Sequence, residues 1–168
     1  MYKNIDSETF AASELHFAQN HLRIVSALYG LLSPLDKIKA YRLEMICKLP
    51  EIAPSGMHHF WKEQITKQLK IELHSHKNKF LINLASNEYS VAIGNDQLSA
   101  PIINIHFREI RNGELKTIAL NAKRARGMMS DYIIRNAIDI PNDLKSFNIN
   151  GYNFDATRSD DNNFFFIR

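Results

Sequence analysis

PIINIHFREIRNGELKTIALNAKRARGMMSDYII, residues 101–134, is the stretch whose reading decides the fold. Residues 102–110 and 115–122 read as two strands. Between them lies Asn112-Gly113, a dipeptide that favours the type I′ hairpin turn. A long helix follows, from about residue 122 to residue 138, closed by Pro141. At the strand-to-helix junction stand three cations, Lys123, Arg124 and Arg126, next to Gly127. A hairpin that runs directly into a helix, with no regular βαβ alternation around it, predicts an α+β class with a mixed sheet and several packed helices.

Working outward, Ser13 is suited to cap a helix running to about Leu32. Leu15, Ala18, Leu22, Val25, Leu28 and Leu32 then share a helical spacing. Ser33-Pro34 ends it, since the residue before proline avoids the helical region. Tyr29-Gly30 inside this stretch is an oddity, because glycine costs helix stability, and it suggests a close approach by a neighbour. Residues 41–47 read as extended or irregular, and Pro50 and Pro54-Ser55-Gly56 as a loop. A second helix is expected over about residues 57–73, with Phe60, Trp61, Ile65, Leu69 and Leu73 as its apolar face. Residues 79–84 read as a buried strand, and Ser86 as the cap of a short helix. Short strands are expected near residues 148–154 and 163–167.

The chain has 168 residues, 45% of them hydrophobic, with ten Phe and six Tyr. That supports one globular domain over residues 1–168 and excludes wholesale disorder. The net charge of +3 is mildly basic, so local clustering of cations matters more than the total. Cys47 is the single cysteine, which excludes an intrachain disulfide and fits a reducing cytoplasm. Its place in Met45-Ile46-Cys47 reads as a small buried hydrophobe. No signal-peptide core and no apolar run of about 18 residues is present. A soluble, cytoplasmic protein with no membrane partner is expected.

Three groups of residues carry candidate chemistry. Lys123, Arg124 and Arg126 can converge on an anion, with arginine suited to bidentate phosphate contacts and Gly127 permitting close approach. The alternative is a solvated helix face or cation–carboxylate pairs that hold the fold. Arg108, Arg111 and Lys116 on the hairpin can extend the patch. In Tyr41-Arg42-Leu43-Glu44, alternation puts Arg42 and Glu44 on one face. They read as an ordinary half-buried strand or, more sharply, as a buried Arg42–Glu44 pair. In Ser86-Asn87-Glu88-Tyr89, Glu88 reads as part of a capping arrangement, or as an acid–base group or counter-ion if buried near cations. His58-His59 and His74-x-His76 lack the spacing of a zinc site, and no nucleotide-loop or hydrolase fingerprint occurs. No metal or cofactor is expected.

Four segments, HFAQNHLRIVSALYGLLSPLDKIKAYRLEM, FLINLASNEY, AKRARGMMSDYII and FNINGYNFD, resemble in order the YaaA family of bacterial peroxide-stress proteins. The likeness runs from about Phe10 almost to Arg168. Tyr29, Gly30, Pro34, Leu35 and Asp36 match one family motif, and Tyr41, Arg42, Leu43, Glu44 and Met45 a second. Asn83, Ser86, Glu88 and Tyr89 match a third, Lys123 to Gly127 with Met129 a fourth, and Gly151-Tyr152 the last. Ser33, Ala40 and Asp131 depart from the usual Arg, Pro and basic residue. The resemblance implies an α+β fold, a cytoplasmic role in the response to hydrogen peroxide that limits iron-linked damage, and binding of duplex DNA through a positively charged cleft. A helix-hairpin-helix element belongs to that picture and is not located in this chain. The family also carries a segment before the region matched here, so the chain reads as the C-terminal part of a YaaA-like fold. Loss of that segment would expose surface for self-association.

Three functions follow as expectations. One is DNA binding through the basic cluster, without classical enzyme activity. Another is an enzyme acting on a small anionic substrate, with Arg42, Lys123, Arg124 and Arg126 binding it and Glu44 or Glu88 as acid or base. The third is a truncated form without activity.

Overall fold

Asn112 and Gly113 both take positive φ, 54° and 78°, as a type I′ turn demands. The computed structural model describes residues 2–94 and 97–168. In chain order its described strands are β1 (Ile24–Ser26), β2 (Gly30–Leu32), β3 (Leu81–Asn83), β4 (Ile102–Arg111), β5 (Glu114–Lys116), β6 (Asn153–Phe154) and β7 (Asn163–Ile167). The helices are α1 (Ala12–His21), α2 (Met57–Ser75), α3 (Asn87–Ser90) and α4 (Ala119–Arg135), with short 3₁₀ turns between. The class is α+β with a mixed sheet, as expected. No described helix is long and apolar enough to cross a membrane.

The chain forms two compact units, interleaved in sequence. The first holds Met1–Phe17, Phe80–Leu84 and Ile102–Arg168; the second holds Ala18–Lys79 and Ala85–Pro101.

In the first unit the sheet order is β3-β4-β7-β6, and β5 pairs with β4. β3, β4 and β7 run parallel, while β6 is antiparallel to β7 and β5 to β4. Strand β4 alternates half-buried and buried residues, so Ile103, Ile105, Phe107 and Glu109 all point inward. Ile103, Ile105 and Phe107 meet Phe164 and Phe166 of β7, Ala122, Ala125 and Met129 of α4, and Leu144, Phe147 and Tyr152 from the tail. Phe107 sits among Phe147, Tyr152 and Phe166, with ring centroids 5.9, 5.1 and 5.6 Å away. Each such fully buried ring contributes about 1.5–3 kcal/mol.

In the second unit β1 and β2 form an antiparallel hairpin, Ile24 opposite Leu32. Here the structure corrects the expected long helix. α1 ends at His21, and Arg23 turns back to donate from Nη1 to the carbonyls of Gln19 (2.8 Å) and Leu22 (2.7 Å). A guanidinium on the last carbonyls is a helix stop. The β-branched Ile24-Val25 then enters a strand, and Leu22, Val25, Leu28 and Leu32 match helical spacing by coincidence. The close approach inferred at Gly30 is real but lies in a strand. Gly30 has φ +75°, and a Cβ there would lie 2.8 Å from Trp61 Cε3. Trp61 Nε1 also donates to the Ala27 carbonyl at 2.8 Å, which seats α2 against the hairpin.

Smaller differences share one cause: local pattern sets an element's type better than its ends. The strand expected over residues 115–122 is only Glu114–Lys116, because α4 already starts at Ala119. That helix stops at Arg135, before Ala137 with φ 45°. Ile149–Gly151 form a 3₁₀ turn around Asn150 (φ 56°), so only Asn153–Phe154 is strand. Ser86 occupies the cap position of α3 but makes no side-chain cap bond. Cys47 is half-buried instead of enclosed.

Candidate nucleic-acid interface

Helix α4 buries Ala122, Ala125 and Met129 against the sheet, which leaves Lys123 and Arg124 exposed. They line an open cleft of about 530 Å³ together with Lys3, Asn4 and Leu120. Leu120 is itself 59% exposed. Among the described lining residues there are three cations and no carboxylate. Such a concavity attracts anions, and nothing in its lining supplies an acid or base of the carboxylate type. Lys3 was not legible as a member: it lies 120 residues away in sequence from Lys123 and arrives because the turn Tyr2–Asn4 packs on α4.

Arg126 does not join this lining. It is half-buried, and its Nε is buried with no hydrogen-bond partner. Burial lowers its pKa from the ordinary arginine value. Two residues along a helix from Arg124, it necessarily points to a different side.

The other predicted residues belong to the second unit. Arg42 and Glu44 are both exposed, and no ion pair joins them among the described interactions, so the buried pair does not form. Glu88 is exposed as well, and its Oε1 accepts the Met45 N–H at 3.0 Å. That bond ties helix α3 to the irregular segment at Met45, which is fully buried. Glu88 is therefore a backbone anchor in this geometry. No group of three or more His, Cys, Asp or Glu among the described residues is arranged to hold a metal ion.

On the hairpin, two cations already have partners. Lys116 pairs with Glu114 at 2.7 Å and Arg111 with Glu109 at 2.7 Å. Glu114 neutralises Lys116, whereas Arg111 shares the single Glu109 carboxylate with Arg168.

Glu109 is the functional-looking residue that the sequence reading missed. It is only 2% exposed. Its Oε1 accepts from Asn121 Nδ2 (2.8 Å), Arg168 Nη2 (2.9 Å) and Tyr152 OH (3.1 Å), and its Oε2 from Arg111 Nη2 (2.7 Å) and Nε (3.1 Å). Burial by itself would raise the carboxyl pKa, but the bonds from Asn121, Arg111, Arg168 and Tyr152 outweigh it and bring it down to about 2. Tyr152 is pushed the other way, to about 12, by burial and by its bond to Glu109. The Arg168 guanidinium also lies 4.7 Å over the Tyr152 ring. With five bonds to its two oxygens, Glu109 clasps β4, α4 and the tail together and stays ionised. A signal was available: Ile103, Ile105 and Phe107 alternate inward, and Glu109 is next in that register.

Comparison with known proteins agrees with the segment-by-segment likeness. The family model described as "Peroxide stress protein YaaA" matches residues 1–158. A UPF0246 protein of Rickettsia bellii (strain OSU 85-389) is 47% identical over 168 residues, which is all of this chain and 67% of the relative. A UPF0246 protein of Crocosphaera subtropica is 44% identical over the same 168 residues, again 67% of its length. One from Rickettsia felis is 46% identical, with 66% of its length covered. The chain thus spans about two thirds of the length of these relatives. On the strength of a match along nearly its whole length, the chain belongs to the YaaA peroxide-stress protein family.

Proposed function

We propose that this is a cytoplasmic protein of the bacterial response to hydrogen peroxide, which limits iron-linked oxidative damage and binds duplex DNA through Lys123 and Arg124. The observation that carries the reading is the cleft on α4, whose described lining has cations and no carboxylate to neutralise them. Membership in a family described by peroxide stress supports the physiological setting. Arg42, exposed in the second unit, and Arg126, half-buried on α4, are the remaining candidate contacts. Turnover of a small anion would need an acid–base group beside the bound phosphate. No carboxylate is among the described lining residues of the cleft, and Glu88 is engaged with the Met45 amide.

Phosphate contacts release counterions, so affinity falls steeply with salt, with a log–log slope of about −0.9 per contact. Duplex DNA affinity is measured across about 50 to 200 mM salt for the unaltered protein and for Lys123→Ala/Arg124→Ala. The expected result is a strong salt dependence that becomes shallower by about 1.8 in the double variant. Equal slopes for both proteins, or no binding by either, would defeat the reading.

A further inference from the structure

Residues 2–10 lie along α4, held by the packing of Tyr2–Asn4 and by a side-chain fastening at Asp131 and Arg135. Asp131 Oδ1 accepts the Asp6 N–H at 3.1 Å, and Asp131 Oδ2 accepts Arg135 Nε–H at 2.8 Å. Arg135 Nη2 in turn donates to Thr9 Oγ1 at 2.6 Å and to the Asp6 carbonyl at 3.3 Å. The guanidinium stacks 4.8 Å over the Phe10 ring, and its Nη1 lies 3.7 Å from Glu14 Oε1. Only three residues before Asp6, Lys3 enters the cleft beside Lys123 and Arg124.

From this we infer that Lys3 is a third phosphate-binding residue of the cleft, and that the Asp131–Arg135 fastening is the positioning device that delivers it. The inference rests on the DNA-binding reading and adds two things to it: a contact from outside α4, and a dependence of binding on residues that touch no DNA. Without the fastening, only the packing of Tyr2–Asn4 on α4 would hold Lys3, and keeping it at a phosphate would cost more of the ordering entropy of residues 2–10. Pre-positioned, it contributes with that cost already met in the folded protein.

Asp131 makes the idea sharply testable, because charge and positioning predict opposite signs. Removing a carboxylate near a DNA-binding cleft strengthens binding if only net charge matters. If Asp131 positions Lys3, Asp131→Ala weakens binding. The experiment measures duplex DNA affinity against salt for the unaltered protein, Lys123→Ala, Lys3→Ala, Lys3→Arg, Asp131→Ala and Lys3→Ala/Asp131→Ala. Amide hydrogen exchange of residues 2–10 and a thermal melt accompany each. Lys3→Ala is expected to make the log–log salt slope shallower by about 0.9, and Lys3→Arg to restore it. Asp131→Ala is expected to weaken binding while residues 2–10 exchange faster, with the double variant no weaker than Lys3→Ala. Tighter binding by Asp131→Ala, or an unchanged slope for Lys3→Ala alongside a reduced one for Lys123→Ala, overturns the inference and leaves DNA binding standing. Absence of binding by the unaltered protein overturns both. Lys3 is exposed, so its variants keep the test valid even if Asp131→Ala lowers stability.

Discussion

Glu109 and the α4 cleft lie in the same unit and use the same kinds of charged side chain to opposite ends. Around Glu109 one buried carboxylate accepts bonds from Arg111, Arg168, Asn121 and Tyr152. In the cleft Lys3, Lys123 and Arg124 face solvent, with no carboxylate among the described lining residues. The first arrangement is closed and holds the fold. The second is open and leaves charge for a partner. The difference teaches that a cation's role follows from whether the fold supplies its counter-ion, which residue type does not reveal.

The contrast breaks most severely at Glu109. Glu109→Ala leaves the buried Tyr152 hydroxyl without its acceptor and removes the bonds from Asn121, Arg111 and Arg168, at a cost of roughly 1–3 kcal/mol. A denaturant titration should show a correspondingly lower midpoint, while salt-dependent DNA binding of the protein that remains folded keeps its slope. Acid gives a gentler version of the same test. Because the folded carboxyl titrates near 2, below its ordinary 4.5, its stabilisation is complete above pH 4.5 and is lost as pH falls through about 2. Melting followed from pH 5 downward should decline for the unaltered protein and decline less for Glu109→Gln, which has no such carboxyl to protonate.

Tyr152→Phe removes one of several bonds to Glu109 and should cost about 1 kcal/mol in the same titration. At the open end, Lys123→Ala/Arg124→Ala should change stability by less than about 0.5 kcal/mol, since both residues are exposed, and alter only DNA binding. Smallest of all is Lys116→Ala. Its ammonium is exposed and paired with Glu114, so stability and salt slope should both stay nearly unchanged. A large effect there would mean that the hairpin, and not α4 alone, meets the DNA.

Legibility followed the range of the interaction. The Asn112-Gly113 turn was readable because positive φ at both positions is a property of those two residues. Helix α2 and strand β7 were readable because their apolar patterns run within one element. The segment after α1 was misread because Leu22, Val25, Leu28 and Leu32 satisfy a helical spacing as well as a hairpin. What decides between them is Trp61 packing on Gly30, a contact across 31 positions. Among site residues, Lys123 and Arg124 were visible as a cluster, whereas Arg126 is set apart by the helical turn that buries it. Lys3 and the partners of Glu109 were invisible, being distant in sequence from what they join.

By itself, then, the sequence determined the α+β class, the hairpin at Asn112-Gly113, the position of the basic helix and the family. Each of these rests on local stereochemistry or on patterns carried within a segment. Only the tertiary structure decided which charges are closed off and which stay open. Glu109 finds Tyr152 and Arg168, and Lys3 finds Lys123, because folding brings them within hydrogen-bonding or cleft distance. The physical reason is that the cost of a buried charge and the availability of an exposed one both depend on neighbours in space.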